Sequence, residues 1–425
     1  MPFAYVYVTI LLMDIKTVNC RWILDSRGNP TVEVEITTAN GAIGRAAVPS
    51  GASTGEHEAL ELRDNQQAFN GKGVNRALKN ITDKISPIII GLDASDQHSL
   101  DQKLIELDGT DNKSNLGANA TLGISLAVAH AAAAAKAVPL YQHIGMLHGT
   151  NEFSLPRPMV NIINGGQHAT GGTEIQEFMI YPRTTTSFQR TVQLAAEVFA
   201  SLKKLLLEHN LPTTVGDEGG FAPAIANSEH VLQLLVDAIE IAGYTPGEDV
   251  ELALDVAASE FYTDNQYHLS TTPEAVDRSG MIDWLKQLTT SFPISSIEDG
   301  LDEDDWDGWT EMTDQLGSNI QIVGDDFLVT DQKRLQQAID NNACNAILIK
   351  PNQIGTLSET LQAIKLAQEY NFGTIISHRS GETEDTTIAH LAVGVNAGQI
   401  KTGSVSRSER TAKYNELLRI EEQLG

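Results

Sequence analysis

Titratable residues end a series of short apolar segments in the second half of the chain, and this placement limits the possible folds more than any other sequence feature. ELALD, SSIE and AILIK are examples, ending at Asp255, Glu298 and Lys350. The whole series is spaced by 23 to 43 residues and comprises Glu218, Asp255, Glu298, Asp325, Lys350, His378 and Lys401. Amphipathic segments lie between the apolar ones, and such alternation is typical of strand-helix units in a parallel sheet.

A (βα) barrel explains this series best, because the carboxyl ends of its strands converge on one mouth. An open, doubly wound sheet would spread the same residues along a line and bring only neighbours together. Any single charged residue in the series could simply mark the end of a strand, but that alternative does not explain the whole series. The sequence therefore predicts an α/β fold with a barrel.

The pattern predicts nine strands and long helices between them. The strands are expected at residues 159–164, 177–182, 213–218, 250–256, 293–300, 320–326, 345–351, 373–378 and 398–403. Helices are expected at residues 187–209, 229–242 and 357–370, among others.

The amino-terminal part differs in pattern. Val32, Val34 and Ile36 alternate with polar residues, which predicts an antiparallel sheet from residue 15 to about residue 43. An alanine-rich helical run follows at residues 116–137. We therefore expect a smaller α+β domain at 13–150 before a catalytic barrel at 151–425. Residues 1–12 are apolar but lack a basic flank, and we expect an extension that is disordered or not translated.

Charge and cysteine content narrow the class of function. There are 56 acidic and 29 basic residues, a net charge of −27, which argues against nucleic acid as the main ligand. The chain has two cysteines, Cys20 and Cys344, which fits a reducing compartment, so we expect a cytoplasmic protein. No apolar run beyond the amino terminus is expected to span a membrane.

Three carboxylates from successive strands, Asp255, Glu298 and Asp325, point to a metal site. Ionised carboxylates placed together repel one another unless a cation lies among them. An all-oxygen donor set favours a hard ion, and Mg²⁺ over a dedicated Ca²⁺ cage. The neighbouring acidic run at residues 302–307 is expected to be a solvated loop.

Lysines and a glycine-flanked acid suggest proton transfer. Lys350 and Lys401 both end strands, and positive neighbours would favour the neutral amine that a general base requires. Holding an anionic substrate is an equal alternative for Lys401. Glu218, in GDEGGFAP, is placed to donate a proton, and SHRSGE, residues 377–382, suits a phosphate or carboxylate. Together these groups favour proton abstraction beside a carboxylate, followed by β-elimination.

Ten short motifs then resemble one known family along almost the whole chain, from about residue 15 to residue 425. They are SGASTG, NIINGG, QEFMI, GDEGGFAP, LALDVA, SIEDG, VGDD, ILIKPNQIGT, SHRSGETED and QIKTGS. Their order resembles the enolases, or phosphopyruvate hydratases, of the bacterial type. The resemblance implies an enolase-type barrel and reversible Mg²⁺-dependent dehydration of 2-phospho-D-glycerate to phosphoenolpyruvate in glycolysis and gluconeogenesis.

The resemblance also implies individual roles. Lys350 would be the general base at C2, Glu218 the general acid at the C3 hydroxyl, and two Mg²⁺ ions would bind per site. Asp255, Glu298 and Asp325 would bind the first ion, and Ser53 would help bind a second that arrives with substrate. Glu177 and His168 would support the acid. The substrate contacts would be Gln176, Lys350, Ser377, His378, Arg379, Ser380 and Lys401.

The same resemblance implies the partners: a homodimer or dimer-based octamer, with secondary roles in an RNA-degradation complex, in secretion or at the cell surface.

Two other functions are alternatives to this one. A related acid-sugar dehydratase or racemase would share the barrel and carboxylates but not the phosphate clamp. A non-catalytic adhesin or assembly scaffold would leave the pocket silent. One departure from the family is Pro351, which restricts Lys350 to extended backbone geometry.

Overall fold

The small domain begins with a three-stranded antiparallel sheet. The computed structural model describes residues 13–51, 55–166, 172–183, 186–270, 272 and 274–425. The strands lie side by side as β1 (Ile15–Leu24), β2 (Pro30–Thr38) and β3 (Ile43–Ala47). Val32, Val34 and Ile36 are completely buried, so the predicted antiparallel sheet and its alternation are confirmed.

One helix, Ala118–Ala135, covers this sheet at very short range. A side chain at Gly44 would place its Cβ 2.1 Å from the Ala131 nitrogen, so glycine is needed for the approach. By length and composition this helix could cross a membrane, contrary to our expectation for this part of the chain, but 83% of it is buried in the fold. The other helical segments of the domain are Ala68–Gly71, Asn75–Asn80, Ile81–Ile85, Ser86–Ile89, Gln97–Asp108 and Leu140–His148.

The rest of the chain forms a closed barrel of eight strands. In chain order they are β4 (Arg157–Asn164), β5 (Glu177–Pro182), β6 (Val250–Asp255), β9 (Ile294–Glu298), β10 (Gln321–Gly324), β11 (Ala346–Ile349), β12 (Gly373–Ser377) and β13 (Gly398–Lys401). Around the barrel they follow the order β10, β11, β12, β13, β4, β5, β6, β9. A separate hairpin joins β7 (Tyr262–Thr263) to β8 (Gln266–Tyr267).

Helices surround the barrel, and apolar side chains fill its interior. The helices are Phe188–Glu208, Ser228–Ile241, Arg278–Ser291, Trp306–Leu316, Gln332–Asn341, Pro351–Ile354, Leu357–Glu369, Thr387–Gly394 and Ser408–Leu424. The interior cluster consists of Met159, Met179, Tyr181, Ala253, Val323, Ala346, Leu348 and Ile375. The barrel is therefore a packed core with its polar groups at one end.

Two details differ from the predicted parallel sheet. Strand β5 runs antiparallel to both β4 and β6, so its first residue, Glu177, pairs with the last residue of β6, Asp255. This reversal brings Glu177 to the mouth where the other strands end. The prediction of a strand at 213–218 is wrong: Glu218 lies in the loop between helices Phe188–Glu208 and Ser228–Ile241.

The small domain contacts the mouth of the barrel. Ser50 and Gly381 exchange two backbone hydrogen bonds of 2.8 Å. Glu58 also reaches Arg379 at the end of β12. The site at the mouth is thus built from both parts of the fold.

Candidate active site

One small cavity brings together most of the residues that the sequence predicted for the site. Its lining consists of Gln176, Glu177, Glu218, Asp255, Lys350, Ser377, His378, Arg379, Ser380 and Lys401. Two of the predicted metal ligands, Glu298 and Asp325, lie beside it, because their carboxylates bond to Lys401 and Lys350. The predicted residues Ser53 and His168 lie outside the described residues.

The three predicted metal carboxylates come from three adjacent strands. Asp255 and Glu298 end β6 and β9 and pair in register, while Asp325 follows β10. All three side chains are buried. Burial and the charge of Asp255 raise the pKa of Glu298 well above its usual range. These are acids that need a cation nearby.

Lysine ammonium groups are the cations beside these acids. Lys401 Nζ lies 2.7 Å from Asp255 Oδ2, 2.8 Å from Glu298 Oε1 and 3.1 Å from Glu177 Oε1. Although burial lowers the pKa of Lys401, the three carboxylates raise it well above its ordinary value. Lys401 is therefore charged in this structure, which fits the alternative of holding an anionic substrate better than a role as base.

Lys350 directly follows the next strand, β11. Its ammonium donates to Asp325 Oδ2, and Gln353 Nε2 donates to Asp325 Oδ1 over 2.9 Å. Burial lowers the pKa of Lys350, but the carboxylates of Asp325 and Asp326 act against this, and the pKa is raised overall. We expected positive neighbours to lower the pKa of this lysine, and for this structure the expectation is wrong because a carboxylate is its direct partner.

An amide and two carboxyl groups form the opposite side of the cavity. Asn161 Nδ2 donates to Glu177 Oε2 over 2.9 Å and to Glu218 Oε2 over 3.0 Å. Burial and the neighbouring Glu218 raise the pKa of Glu177 well above its usual range. An oxygen of Glu177 and one of Glu218 lie within 4.8 Å of each other. Two buried carboxyl groups this close share a proton more readily than they both ionise.

The loop that carries Glu218 is fastened to the barrel on both sides. Phe221 exchanges backbone hydrogen bonds with β4, at Ile162 and Asn164, and the Glu218 carbonyl accepts from Ser404 N over 2.9 Å. Gly219 has φ of +89°, and a Cβ there would lie 2.6 Å from the Ser406 carbonyl. The glycine of GDEGGFAP therefore permits a close approach that fixes the acid.

The segment after β12 presents a guanidinium to the cavity. Arg379 makes a two-pronged ion pair with Glu58, 3.0 Å from Nη1 to Oε2 and 3.1 Å from Nη2 to Oε1. Asn352 Oδ1 accepts from the same Nη1 over 3.1 Å. Ser380 Oγ accepts from Arg27 Nη1 over 3.3 Å. A guanidinium binds carboxylates and phosphates in this two-pronged geometry, and in this structure Glu58 is the carboxylate that takes it.

Two family models match the chain. The enolase N-terminal domain matches residues 15–144, and the enolase C-terminal TIM barrel domain matches residues 152–425. The chain belongs to the enolase family. Membership supports a lyase or hydratase, and the predicted barrel fold with a small amino-terminal domain is confirmed.

Enolases normally use Mg²⁺, and the donor groups of this chain fit such an ion. Asp255, Glu298 and Asp325 offer only carboxylate oxygens from adjacent strands, the ligands that a hard cation prefers. Two other groups among the described residues could also bind a metal, because their ligand atoms lie within 4.8 Å of one another. They are Glu177 with Glu218 and His378, and Asp299 with Asp325 and Asp326.

Several residues of this enolase site were missed in the sequence. Asp299 accepts from the backbone nitrogens of Asp325 and Asp326 at 2.9 and 2.8 Å, and its own φ is +44°. Burial and Asp325 raise the pKa of Asp326 to about 8. Asn161 is the only polar residue between Arg157 and Asn164 in an apolar strand, which was an available signal. Nothing in the sequence pattern indicated Glu58, since its pairing with Arg379 joins residues 321 apart.

Proposed function

We propose that the protein is a bacterial-type enolase that interconverts 2-phospho-D-glycerate and phosphoenolpyruvate, with Lys350 as general base at C2 and Glu218 as general acid at the C3 hydroxyl. One observation carries the proposal. In the eight-strand ring, β11, which leads to Lys350, and β5, which begins with Glu177, are four strands apart and therefore opposite each other. A base and an acid on opposite walls can act on opposite faces of one substrate.

The strands between those walls divide the remaining groups by charge. On one side lie Asp255, Glu298 and Asp325, at the ends of β6, β9 and β10. On the other side lie the β12 segment with His378 and Arg379, and β13 with Lys401. This arrangement favours a substrate that carries an anion toward the guanidinium and a second negative group toward the carboxylates and their cation.

The base is fixed by its backbone. Lys350 has φ of −122° and ψ of 102°, the extended geometry expected before Pro351, which begins the helix Pro351–Ile354. Its backbone nitrogen donates to Thr330 Oγ1 over 2.9 Å. The ammonium is thereby aimed into the cavity, and once neutral it can accept the C2 proton.

The acid side keeps a proton where the leaving hydroxyl needs it. We infer that Glu177 and Glu218 share a proton beside the Asn161 amide, and the raised pKa of Glu177 supports this. Glu218 gives that proton to the C3 hydroxyl, which leaves as water, and the resulting carboxylate pair keeps the amide as a donor.

Asp255, Glu298 and Asp325 are the proposed ligands of one Mg²⁺, and Ser53 is the proposed protein ligand of a second that arrives with substrate. Bound Mg²⁺ supplies positive charge for the carboxylate of the substrate as negative charge develops on it. Arg379, Ser380 and Gln176 are the proposed contacts to the rest of the substrate, with Ser377, His378 and Lys401 beside them, and His168 is proposed to support the acid.

The direct test is the ultraviolet absorbance of phosphoenolpyruvate formed from 2-phosphoglycerate in the presence of Mg²⁺. We expect turnover of this substrate and none of non-phosphorylated sugar acids. Turnover of sugar acids alone would point instead to an acid-sugar dehydratase or racemase. No turnover of either would favour a binding role.

Assembly and location are further proposals. We propose a homodimer or dimer-based octamer in the cytoplasm. In support, the edge strand β1 exposes 46% of Trp22 and 55% of Leu24, apolar surface that a subunit contact would cover. Native mass measurement tests this, and a monomer would contradict it. Roles in an RNA-degradation complex or at the cell surface stay predictions of the resemblance.

A further inference from the structure

We propose that Arg410 is a positioning residue that fixes the ring tautomer of His378, so that the Nε2–H bond faces Glu218. The inference rests on the proposed role of Glu218 as the acid and adds a residue that no motif pointed to. Arg410 lies in the first turn of the last helix, Ser408–Leu424, and is completely buried.

The tautomer follows from what a guanidinium can do. Arg410 Nη1 lies 2.5 Å from His378 Nδ1. A guanidinium only donates hydrogen bonds and keeps its protons at any ordinary pH, so Nδ1 must be the acceptor. A neutral imidazole with an unprotonated Nδ1 carries its hydrogen on Nε2.

The guanidinium cannot turn away from the ring, because backbone carbonyls accept hydrogen bonds from both of its Nη atoms. Nη1 also donates to the Arg379 carbonyl over 2.6 Å. Nη2 donates to the Ser380 carbonyl over 2.6 Å and to the Asp217 carbonyl over 3.1 Å. Asp217 precedes Glu218, so the same side chain positions both the histidine and the acid-bearing loop.

The other ring nitrogen faces the acid. His378 Nε2 lies 3.7 Å from Glu218 Oε2, and both side chains are almost completely buried. The charged groups that act on the ring are Glu218, Arg410, Lys401 and Lys413. Because Nδ1 accepts a hydrogen bond from a guanidinium, the ring carries a single proton and is neutral.

This orientation determines what His378 can do during the reaction. An Nε2–H group cannot take a proton from Glu218, so the acid keeps it for the C3 hydroxyl. After that transfer, Glu218 is a carboxylate, and the Nε2–H group can donate a hydrogen bond to it without giving up its own proton. The opposite tautomer would present a lone pair to the new anion and oppose its formation.

Nitrogen-15 NMR of histidine-labelled protein tests the tautomer directly, without substrate or turnover. The His378 signals are assigned by their loss in His378→Gln. We expect Nδ1 unprotonated and Nε2 protonated, with no titration between about pH 5.5 and 8.5, the range around an ordinary histidine pKa. An Nδ1–H tautomer, or an imidazolium in this range, would overturn the proposal.

Variants then test whether Arg410 is the cause. In Arg410→Ala we expect the His378 signals to change tautomer or begin to titrate, and added guanidinium to restore them. We also expect a ~10- to 150-fold lower kcat for elimination, with exchange of the C2 hydrogen retained, since a hydrogen bond to a charged group contributes about 1.5–3 kcal/mol. Arg419→Ala is the control, because Arg419 lies on the same helix but pairs with Glu416.

An unchanged histidine spectrum in Arg410→Ala would refute the proposal. If Arg410→Ala does not fold, the wild-type spectrum still decides the tautomer. The two proposals can fail separately: a protein without activity on 2-phosphoglycerate but with the Nε2–H tautomer would contradict only the proposed function.

Discussion

Asn161→Ala should impair elimination far more than proton abstraction. The Asn161 amide is a donor to both Glu177 and Glu218, at 2.9 and 3.0 Å. Negative charge grows on that pair as Glu218 gives up its proton, so the amide contributes more in the transition state than in the ground state.

The magnitude follows from the bond to Glu218. A hydrogen bond to a charged group contributes about 1.5–3 kcal/mol, and each 1.36 kcal/mol is a factor of ten, so losing this bond predicts a ~10- to 150-fold lower kcat. Removing a donor to the ionised form also raises the pKa of the pair. Because the pair must be protonated to act, activity should persist to higher pH than in the wild type.

The assay compares two rates on the same substrate: formation of phosphoenolpyruvate, and exchange of the C2 hydrogen with deuterated solvent. We expect the first to fall and the second to stay within about twofold, since Lys350 lies on the opposite wall. Asn164→Ala is the matched control on the same strand, because its side-chain amide has no hydrogen-bond partner among the described residues. Equal losses of both rates in Asn161→Ala, or no loss of either, would refute the reasoning.

Three further predictions concern stability and metal. His143 is buried, and burial together with the nearby Lys136 lowers its pKa to about 4. An unfolded histidine titrates near pH 6.5. The free energy of unfolding should therefore be at its full value above about pH 6.5 and fall by about 3 kcal/mol toward pH 4. Urea unfolding should show a smaller fall in His143→Leu, and an identical fall would contradict this. Gly44→Ala should lose about 3 kcal/mol of stability, because the added methyl group clashes with Ala131. Ile43 is 55% exposed, so Ile43→Ala should lose little stability. Equal losses in the two variants would contradict the close approach of helix and sheet. Chelation should abolish activity and added Mg²⁺ should restore it; turnover without any divalent metal would count against the carboxylate site.

Local pattern was enough to predict most of the elements. The predicted helices at 187–209 and 357–370 end within about one residue of Phe188–Glu208 and Leu357–Glu369. Strand ends were also predictable, because an apolar run that stops at Asp255 or Glu298 marks the point where the chain leaves the barrel interior. These features depend on residues close in sequence.

Direction and pairing were not predictable in the same way. The segment at 177–182 is apolar whichever way it runs, so its reversal in β5 could not be seen in its composition. The segment 213–218 resembles a strand, but only Val215 in it forms a bridge, to Phe221, and Phe221 is the residue that pairs with β4.

The charged partners of the site residues were also not predictable from the sequence. The pKa of Lys350 depends on whether its nearest charged neighbour is a cation or the Asp325 carboxylate. Asp325 is that neighbour because β10 and β11 are adjacent in the barrel. The same holds for Arg379, whose partner Glu58 comes from the other domain. Such pairs join distant residues of ordinary composition, and only the folded structure identifies them.

The central claim, that Lys350 takes the C2 proton and Glu218 acts later on the C3 hydroxyl, is tested most directly by measuring C2 hydrogen exchange in two variants. With Mg²⁺ and 2-phosphoglycerate in deuterated water, Lys350→Ala should show no exchange and no phosphoenolpyruvate. Glu218→Gln should still exchange the C2 hydrogen while forming phosphoenolpyruvate slowly. Exchange at the wild-type rate in Lys350→Ala, or loss of exchange in Glu218→Gln, would contradict the assignment of base and acid.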